Sequence, residues 1–488
     1  MHAMTRNEST GRQAAFRTGG RLLAGLCLLA TIAVSPAGAQ AQFVPRDRAQ
    51  IELTFAPLVR RVSPAVVNVL SKRIVTAHKG ASPLFSDPFF RRFFGDAFPQ
   101  KRPEKEQEQG SVGSGVIVDP SGLIVTNHHV IEGADEIRVV LADRREFDAR
   151  LVRDDERTDL AILRIDAGET SLPSLELANS DELEVGDLVL AIGNPFGVGQ
   201  TVTSGIVSGL ARTNVGITDF NFFIQTDAAI NPGNSGGALV TMDGRLAGVN
   251  TAIFSRSGGN QGIGFAVPAN MVRTVLNSVD GGPRLVRPWL GAAVQDVNAE
   301  ISEAMGLERP FGVLISKLHE KGPAKRAGLR QGDIVVSLNG QPVADTGALR
   351  FRIATADIGS KAELTVLRSD RSTVVWLDVE QPPEDPPREE TALDGRQPLA
   401  GATIVNLSPA VAEEFGLSVL DTGVIVTLIA ANSPARRFGF RPRDKIETVN
   451  GREVGDVVAL RDFLAAAVPE WVLTVRRNGR ILTVTLPG

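Results

Sequence analysis

The sequence predicts a mainly β protein made of an antiparallel barrel domain and two smaller sister domains. Short Val, Ile and Leu runs, separated by Gly, Pro, Asp and Asn, recur between residues 113 and 267. No long amphipathic helix interrupts them before residues 270–279. The C-terminal part contains an internal repeat, and 488 residues exceed what one hydrophobic core organises.

The N-terminal segment, residues 1–39, is predicted to be a signal peptide. An apolar run at 22–34 precedes the small residues Ala37-Gly38-Ala39 and follows four basic residues, Arg6, Arg12, Arg17 and Arg21. Cleavage after Ala39 is the first choice and cleavage after Ala41 the second. Because the apolar run is shorter than the ~20 residues of a membrane-spanning helix, we expect no stable membrane anchor. An uncleaved anchor is the alternative. The resulting protein would be periplasmic.

Charge and cysteine content exclude several classes of function. The formal net charge is -4, and no long basic run follows the N-terminal segment, so a nucleic-acid partner is not predicted. The single cysteine, Cys27, lies inside the predicted signal peptide. The mature chain would therefore contain no disulfide, no cysteine nucleophile and no thiolate metal site. No metal or other cofactor is predicted.

The barrel domain is predicted at 40–283 and contains an unusual insertion. A short helix at 53–62 and a strand at 65–71 precede this insertion, which spans 72–110 and carries six phenylalanines: Phe85, Phe89, Phe90, Phe93, Phe94 and Phe98. Long loops in compact domains are usually functional or disordered. An exposed phenylalanine cluster favours packing against a neighbouring subunit or over a cleft. A helix folded onto its own core is the alternative.

Ten further strands are predicted after the insertion. Asp154 and Asp155 are predicted to lie in a charged turn just before one of them. The predicted strands are 116–118, 123–126, 137–141, 160–165, 188–192, 205–210, 222–226, 238–240, 246–253 and 262–267.

The repeat predicts two sister domains at 284–380 and 393–488. Residues recur at an offset of 111: Gly312-Val313 as Gly423-Val424, Pro323-Ala324 as Pro434-Ala435, Gly328 as Gly439, Asp333 as Asp444, and Asn339-Gly340 as Asn450-Gly451. Each copy predicts a strand, a Pro-initiated helix, a strand, an Asn-Gly hairpin turn and a later helix beginning at Ala348 or Val458. Residues 381–392 form a Pro-rich, charged linker that is expected to keep the copies apart and to permit relative motion.

Three separated residues predict nucleophilic catalysis. Ser235 lies between small residues in Asn231-Pro232-Gly233-Asn234-Ser235-Gly236-Gly237, where the N–H groups of Gly233 and Ser235 can face a developing oxyanion. Serine needs a base, and we select His129 over His128 because Val130 and Ile131 indicate that His129 faces the core. Asp159, at the start of an apolar strand, is the orienting carboxylate. The chain order His129, Asp159, Ser235 is that of the chymotrypsin-like double barrel.

Several motifs closely resemble the HtrA family of exported serine proteases, of the Do-like or DegP/DegQ type. They are Thr126-Asn127-His128-His129-Val130, Thr158-Asp159-Leu160-Ala161, Gly193-Asn194-Pro195-Phe196-Gly197, Thr203-Ser204-Gly205-Ile206-Val207-Ser208, and Gln225-Thr226-Asp227-Ala228-Ala229-Ile230 followed by the Ser235 run. The resemblance spans the whole mature chain. It implies a chymotrypsin-like protease domain, two PDZ domains, homotrimers that can form cages, and ATP-independent cleavage of misfolded envelope proteins.

The resemblance also assigns roles to individual residues. It implies that His129 is the base, that Asp159 orients it, and that Ser235 attacks while Gly233, Asn234 and Ser235 form the oxyanion hole and substrate contact. The Pro232-Gly233 region can adopt an inactive conformation in this family. Arg212 matches the place where a regulatory loop communicates with the PDZ domain.

Peptide binding is expected at the first sister domain. A C-terminal peptide would add as a strand beside Trp289-Leu290-Gly291, whose N–H groups receive its carboxylate. The second copy offers Leu399-Ala400-Gly401, but its Arg441-Pro442-Arg443-Asp444 departs from Arg330-Gln331-Gly332-Asp333 of the first. Peptide binding and a structural or assembly role both remain open for the second copy. The functional alternative to a protease is a chaperone or scaffold that binds unfolded chains and cleaves little.

Overall fold

Two closed six-stranded barrels form the N-terminal part of the protein. The computed structural model describes residues 54–73, 109–195, 199–213, 220, 222–231, 233–253, 262–279, 281–282, 284–369, 371–466 and 468–487. Residues 55–488 belong to one compact unit. The predicted signal peptide and phenylalanine cluster lie outside the described residues, as do Pro232 and the apolar run at 22–34.

The first barrel follows a short helix, α1 (Ala56–Val62), and has the strand order β1-β2-β3-β6-β5-β4. Its strands are β1 (Val66–Arg73), β2 (Gln109–Asp119), β3 (Leu123–Thr126), β4 (Glu136–Val140), β5 (Glu146–Asp155) and β6 (Leu160–Ile165). Helix α2 (His128–Ile131) connects β3 to β4. Branched residues of these strands, such as Val67, Ile124 and Ile162, are fully buried and close the core.

The second barrel has the strand order β10-β11-β12-β9-β8-β7. Its strands are β7 (Leu188–Gly193), β8 (Thr201–Arg212), β9 (Phe223–Thr226), β10 (Ala238–Thr241), β11 (Leu246–Ile253) and β12 (Gly264–Pro268). Helix α3 (Ala269–Asn277) follows and packs Met271, Val272 and Val275 into a core shared with the first barrel. The fold class predicted from the sequence, a double barrel of chymotrypsin type, is therefore confirmed.

The prediction of a charged turn at Asp154 and Asp155 was wrong. Both residues belong to β5, which pairs with β6 through Asp154 with Ala161 and Asp155 with Leu160. The sequence does not indicate this strand, because β5 carries charges at both its exposed positions, such as Asp154, and its buried ones, such as Asp155, which pairs with Arg287.

The first sister domain is an antiparallel sheet with the order β13-β14-β15-β17-β18, and β16 pairs with β15. Its elements are β13 (Ala292–Asp296), α4 (Ala299–Ala304), β14 (Val313–Leu318), α5 (Pro323–Arg326), β15 (Ile334–Leu338), β16 (Gln341–Pro342), α6 (Thr346–Ala354), β17 (Lys361–Arg368) and β18 (Arg371–Asp378). The Pro at the start of α5 suits a first helical turn, where its missing N–H costs nothing.

The second sister domain repeats this plan with the order β19-β20-β21-β22-β24-β25, and β23 pairs with β22. Its elements are β19 (Thr391–Ala392), β20 (Ala402–Asn406), α7 (Pro409–Glu414), β21 (Val424–Ile429), α8 (Pro434–Arg437), β22 (Lys445–Val449), β23 (Arg452–Glu453), α9 (Val457–Leu464), β24 (Glu470–Arg477) and β25 (Arg480–Pro487). Both hairpin turns predicted from Asn-Gly have positive φ at both residues, 48° and 75° in each copy.

The linker differs from its prediction. Rather than holding the sister domains apart, it contacts both: Asp385 pairs with Lys321 of the first at 2.8 Å, and the Pro387 carbonyl accepts from Asn406 of the second at 2.9 Å. A proline-rich sequence sets local stiffness, but it does not reveal such contacts. Among the described residues, no helix has the length and apolar character needed to cross a membrane.

Candidate active site

His129 is buried on α2, one turn after strand β3. Its neighbours Val130 and Ile131 are 3 % and 4 % exposed, so the short helix is anchored in the first barrel. The prediction of His129 rather than His128 as the base rests on these two apolar neighbours. His129 is 7 % exposed, while the His128 ring turns to the carboxylate of Asp154, with 2.6 Å between Nδ1 and Oδ1.

Asp159 meets His129 from the turn before β6, the strand that pairs with β3. His129 Nδ1 lies 2.9 Å from each carboxylate oxygen of Asp159, and the backbone N–H of His129 donates to Oδ1 at 3.1 Å. Asp159 has φ of 56° and ends a tight turn between β5 and β6. This contact fixes the ring so that Nδ1 carries the proton and Nε2 is the basic nitrogen.

Two further side chains hold Asp159 in place. Thr251, in β11 of the second barrel, donates its hydroxyl to Asp159 Oδ2 at 2.5 Å. Asn127 Nδ2 donates to the Asp159 backbone carbonyl at 2.8 Å. The Asp159 side chain is only 4 % exposed, and its carboxylate accepts from the His129 N–H and the Thr251 hydroxyl.

Ser235 joins the same group through Thr251. The Ser235 hydroxyl donates to the Thr251 carbonyl at 3.2 Å, and Ser235 is 4 % exposed. Because Thr251 contacts both Asp159 and Ser235, the structure brings the three residues of the predicted triad to one place. This place is the junction of the barrels, since Asp159 and His129 come from the first barrel and Ser235 from the second.

The loop around Ser235 has a constrained backbone. Gly233 has φ of 96°, and Gly236 has φ of 81°. The Gly237 N–H donates to the Asn234 carbonyl at 2.9 Å, which fixes the plane of the peptide that carries the Ser235 N–H. Asn234 is 1 % exposed, and its side chain lies against Gly193 rather than in solvent. The backbone of these residues can form a compact site for an oxyanion. The Asn234 side chain faces away from solvent.

His128 has an unusual electrostatic setting beside His129. Burial alone would lower the pKa of His128, but the hydrogen bond and charge of Asp154 outweigh it. With the charges of Asp159 and Glu132, they raise the pKa to about 9. His128 is therefore a cation at neutral pH, adjacent to the Asp159–His129 pair.

Arg212, predicted to be regulatory, bonds within its own barrel. Its Nε donates to Gln225 Oε1 at 2.9 Å. The neighbouring Thr213 instead reaches the first sister domain and donates to Asp345 at 2.5 Å. Beside this contact, Phe222 stacks on Phe351 of α6 with ring centroids 3.8 Å apart.

The predicted peptide-binding loop of the first sister domain has a shape suited to backbone recognition. Gly291 has φ of 71°, and its carbonyl accepts from the His319 N–H at 2.9 Å. Trp289 is 2 % exposed and meets the His319 ring edge-on at 5.2 Å. Burial and the charge of Lys321 lower the pKa of His319. Trp289 is thus a packing residue under the loop, whereas Leu290 and Gly291 lie at the groove.

A cavity of about 320 Å³ runs between this loop, strand β13 and helix α6. Its far wall is formed by residues 416–419 of the second sister domain. The corresponding loop of the second copy keeps the same backbone form, because Gly401 has φ of 85° and the Ala400 carbonyl accepts from Ala435 at 3.1 Å. Arg443 adopts φ of 72° where the first copy has Gly332 at 92°, so the two turns match in shape despite their sequences.

Sequence reasoning missed three residues that hold the site together: Ser114, Asn194 and Thr251. Each is a polar residue inside or next to an otherwise apolar strand, which is a signal that the sequence contained. Ser114 lies between two glycines, in Gly113-Ser114-Gly115. Among the described residues, no group of three or more His, Cys, Asp or Glu is placed to hold a metal ion.

A double barrel with this polar group at its junction defines the class of trypsin-like serine proteases. Family models agree: a trypsin-like peptidase domain matches residues 113–249, and PDZ domains match 288–379 and 425–477. The two sister domains are therefore PDZ domains.

Relatives of known name extend the comparison to most of the chain. Periplasmic serine endoprotease DegP of Salmonella typhimurium is 36% identical over 478 residues, which cover 93% of this chain and 97% of the relative. A probable periplasmic serine endoprotease DegP-like of Marinomonas sp. (strain MWYL1) is 39% identical over 414 residues, covering 83% and 86%. A solved structure, HtrA-type protease AlgW with decapeptide, is 44% identical, with 68% and 99% covered and a TM-score of 0.49.

The chain belongs to the DegP-like family of periplasmic serine endoproteases. It is a serine endopeptidase, and the relatives support proteolysis rather than the alternative of a scaffold that cleaves little.

Proposed function

We propose that this protein is exported and degrades misfolded envelope proteins without ATP, using Ser235 as nucleophile, His129 as base and Asp159 as orienting group. The observation that carries this assignment is the joined set of contacts from His129 through Asp159 and Thr251 to Ser235. Loop residues Gly233 and Ser235 supply the N–H groups for the oxyanion. No ATP-binding or metal chemistry is required by this scheme.

The chemistry follows from the contacts. Asp159 holds the His129 ring with Nδ1 protonated, so Nε2 accepts the proton from the Ser235 hydroxyl as its oxygen bonds to the substrate carbonyl carbon. His129 then donates that proton to the leaving amine, and water repeats the sequence to release the acyl group. The hydroxyl currently donates to the Thr251 carbonyl, so a rotation about the Ser235 side chain precedes attack.

Regulation is proposed to act through the PDZ domains and subunit assembly. A C-terminal peptide would add to the free edge of β13, with its carboxylate at Leu290-Gly291. The stacked Phe222 and Phe351 and the Thr213–Asp345 bond support a route from this groove to the barrel. We further propose that the protein forms homotrimers, assisted by the Phe-rich insertion 72–110, and larger cages. The proposed domain limits are 40–283 for the protease domain, 284–380 for the first PDZ domain and 393–488 for the second.

Casein degradation tests the catalytic assignment. The wild type and Ser235→Ala are compared with Ser302→Ala, which removes a buried hydroxyl from the first PDZ domain, 3.3 Å from the Leu307 carbonyl. Ser235→Ala is expected to lose at least about 10³-fold in rate, because the nucleophile is gone, while Ser302→Ala retains activity. Equal rates of casein degradation for wild type and Ser235→Ala would contradict the assignment of Ser235 as the nucleophile.

Two further measurements test export and assembly. N-terminal sequencing of protein from the periplasmic fraction is expected to start at Gln40, with Gln42 as the second site. Light scattering is expected to give a mass of three mature chains or a multiple. A retained N-terminal segment or a monomer would contradict export or assembly without affecting the catalytic assignment.

A further inference from the structure

We propose that Ser114 is a positioning residue for catalysis: it holds the loop that carries the nucleophile, so that the Gly233 N–H can receive the oxyanion. This inference rests on the proposed roles of Ser235 and Gly233. Ser114 touches no reacting atom and acts through the backbone of the loop.

Ser114 contacts the loop at two carbonyl groups. Its backbone N–H donates to the Ser235 carbonyl at 2.8 Å, and its hydroxyl donates to the Gly233 carbonyl at 2.6 Å. Ser114 belongs to β2 of the first barrel and is fully buried, whereas the loop lies between β9 and β10 of the second. One residue of the first barrel therefore holds the carbonyl groups on both sides of Asn234.

The hydroxyl of Ser114 uses its donor and an acceptor position at the same time. It accepts from the Asn194 N–H at 2.8 Å, and the Asn194 carbonyl accepts from Asn68 Nδ2 at 2.8 Å. The chain of donors runs from the Asn194 N–H through the Ser114 hydroxyl to the Gly233 carbonyl, while the Asn68 bond holds the next peptide group of Asn194. Hydrogen bonds in such a chain polarise and strengthen one another. An apolar side chain at this position could not continue the chain.

Backbone geometry shows how the bonds from Ser114 and Gly237 constrain the loop that carries the predicted oxyanion donors. In a trans peptide the C=O and N–H groups point in opposite directions, so a held carbonyl fixes the N–H of the next residue. Gly237 already holds the Asn234 carbonyl, which sets the Ser235 N–H. The Gly233 carbonyl is held by Ser114, which sets the Asn234 N–H and leaves only rotations about φ, at 96°, and ψ of Gly233 to direct the Gly233 N–H. Glycine is the residue that tolerates this angle.

The Ser114 hydroxyl holds the peptide plane between residues 233 and 234, which adjoins the Gly233 N–H. Loss of this hydroxyl would free the plane, so the Gly233 N–H would point toward the oxyanion for a smaller part of the time. The effect should appear in the transition state, where the oxyanion exists, and not in ground-state binding.

The test compares Ser114→Ala with the wild type on an internally quenched peptide. We expect kcat to fall about 10-fold with KM unchanged within about 2-fold, since a positioning bond is worth less than an oxyanion donor itself. A peptidyl boronate, which forms a tetrahedral adduct with the nucleophile, should bind about 10-fold more weakly. Ser302→Ala is the matched control, because it removes a buried hydroxyl that also donates to a backbone carbonyl, and it should change neither value.

Ser114→Cys keeps the shape of serine with a weaker donor and should give an intermediate loss in both measurements. It replaces the alanine variant if that variant melts below the assay temperature. The proposal is overturned if a folded Ser114→Ala keeps both its kcat and its boronate affinity, if only KM changes, or if both variants fail to fold. Activity retained by Ser235→Ala would instead contradict the proposed function.

Discussion

Asp159 shows how a single residue can be held in an uncommon conformation by its neighbours. Its φ of 56° lies in the left-handed region, which costs roughly 1–2 kcal/mol for most residues and less for Asp. Bonds from His129, Thr251 and Asn127 offset this cost. In this conformation the carboxylate reaches the His129 ring of the same barrel and the Thr251 hydroxyl of the second barrel.

Thr251→Val should reduce kcat about 10-fold with little change in KM, because Asp159 loses the hydroxyl that fixes Oδ2 while the side-chain shape is kept. The measurement is steady-state peptide hydrolysis. Thr274→Val, which removes a bond to the Asn270 carbonyl on α3, is the control and should leave kcat unchanged. Equal kcat values for Thr251→Val and wild type would show that His129 alone orients Asp159.

The charge of His128 should make stability depend on pH. Its pKa is raised to about 9 in the folded protein from about 6.5 in an unfolded chain. Its contribution is therefore fully present below pH 6.5 and is lost as the pH rises through 9. Because Asp154 is 39 % exposed, screening limits the contribution to about 1 kcal/mol.

Denaturant unfolding of wild type and His128→Asn between pH 6 and pH 10 measures this contribution. The free energy of unfolding of the wild type should exceed that of the variant below pH 6.5, and the difference should shrink toward pH 9. Asp154→Asn, which removes the partner and keeps His128, should lose the same pH dependence. A difference that stays constant over this range would refute the ionic contact.

At the scale of one element, the loop between β9 and β10 has no room for a side chain at Gly236. A Cβ at Gly236 would lie 2.1 Å from the Ser114 carbonyl oxygen and 2.4 Å from Thr126 Oγ1. Because one of these atoms belongs to the backbone of a neighbouring strand, neither barrel could yield without losing pairing. The close approach of the two barrels therefore depends on this glycine.

Gly236→Ala should lower the free energy of unfolding by more than about 4 kcal/mol, or prevent folding, because it adds a backbone clash to an unfavourable φ. Gly168→Ala separates the two effects: its φ is 61°, but a Cβ there meets nothing within 4 Å. That variant should cost only about 1 kcal/mol. The free energy of unfolding of both variants is measured in urea. Similar losses for Gly236→Ala and Gly168→Ala would mean that φ alone explains the need for glycine at position 236.

At the scale of the whole molecule, the PDZ domains are docked on the barrels by few but specific contacts. Phe351 of α6 is 1 % exposed and belongs to the barrel core rather than to the core of its own domain. Arg157, next to the Asp159 turn, pairs with Glu413 of the second PDZ domain at 3.5 Å and lies over the Phe220 ring at 4.6 Å. The turn that carries Asp159 thus contacts both the second PDZ domain and the segment before β9.

Phe351→Ala should release the first PDZ domain from the barrels, since the stack with Phe222 is worth about 0.5–1.5 kcal/mol beyond its buried area. Hydrogen exchange of the segments 222–226 and 346–354 should accelerate, while the strands of the PDZ sheet stay protected. Leu349→Ala, two residues earlier in the same helix, removes a residue of the PDZ core and should accelerate exchange in that sheet. Identical hydrogen-exchange patterns in the two variants would contradict the view that Phe351 docks the PDZ domain on the barrels while Leu349 stabilises the PDZ fold.

The sequence by itself determined the features that short-range physics controls. Turn glycines, Asn-Gly pairs and alternating apolar runs specify strands and hairpins locally, so the two barrels, the repeat and the His129, Asp159 and Ser235 candidates were all predicted. It failed at β5, where charges at both exposed and buried positions resemble a turn. It also failed at the linker, whose contacts depend on distant surfaces.

Only the tertiary structure decided which distant groups meet. Ser114 and Gly233 are 119 residues apart, and Thr251 and Asp159 are 92 apart, so no local pattern links them. Their hydrogen bonds exist because the barrels close on each other with glycines at the contact, which leaves buried carbonyl and carboxylate oxygens that must be paired. The sequence named a nucleophile, its base and its orienting acid; the packing of the two barrels supplied the residues that hold them.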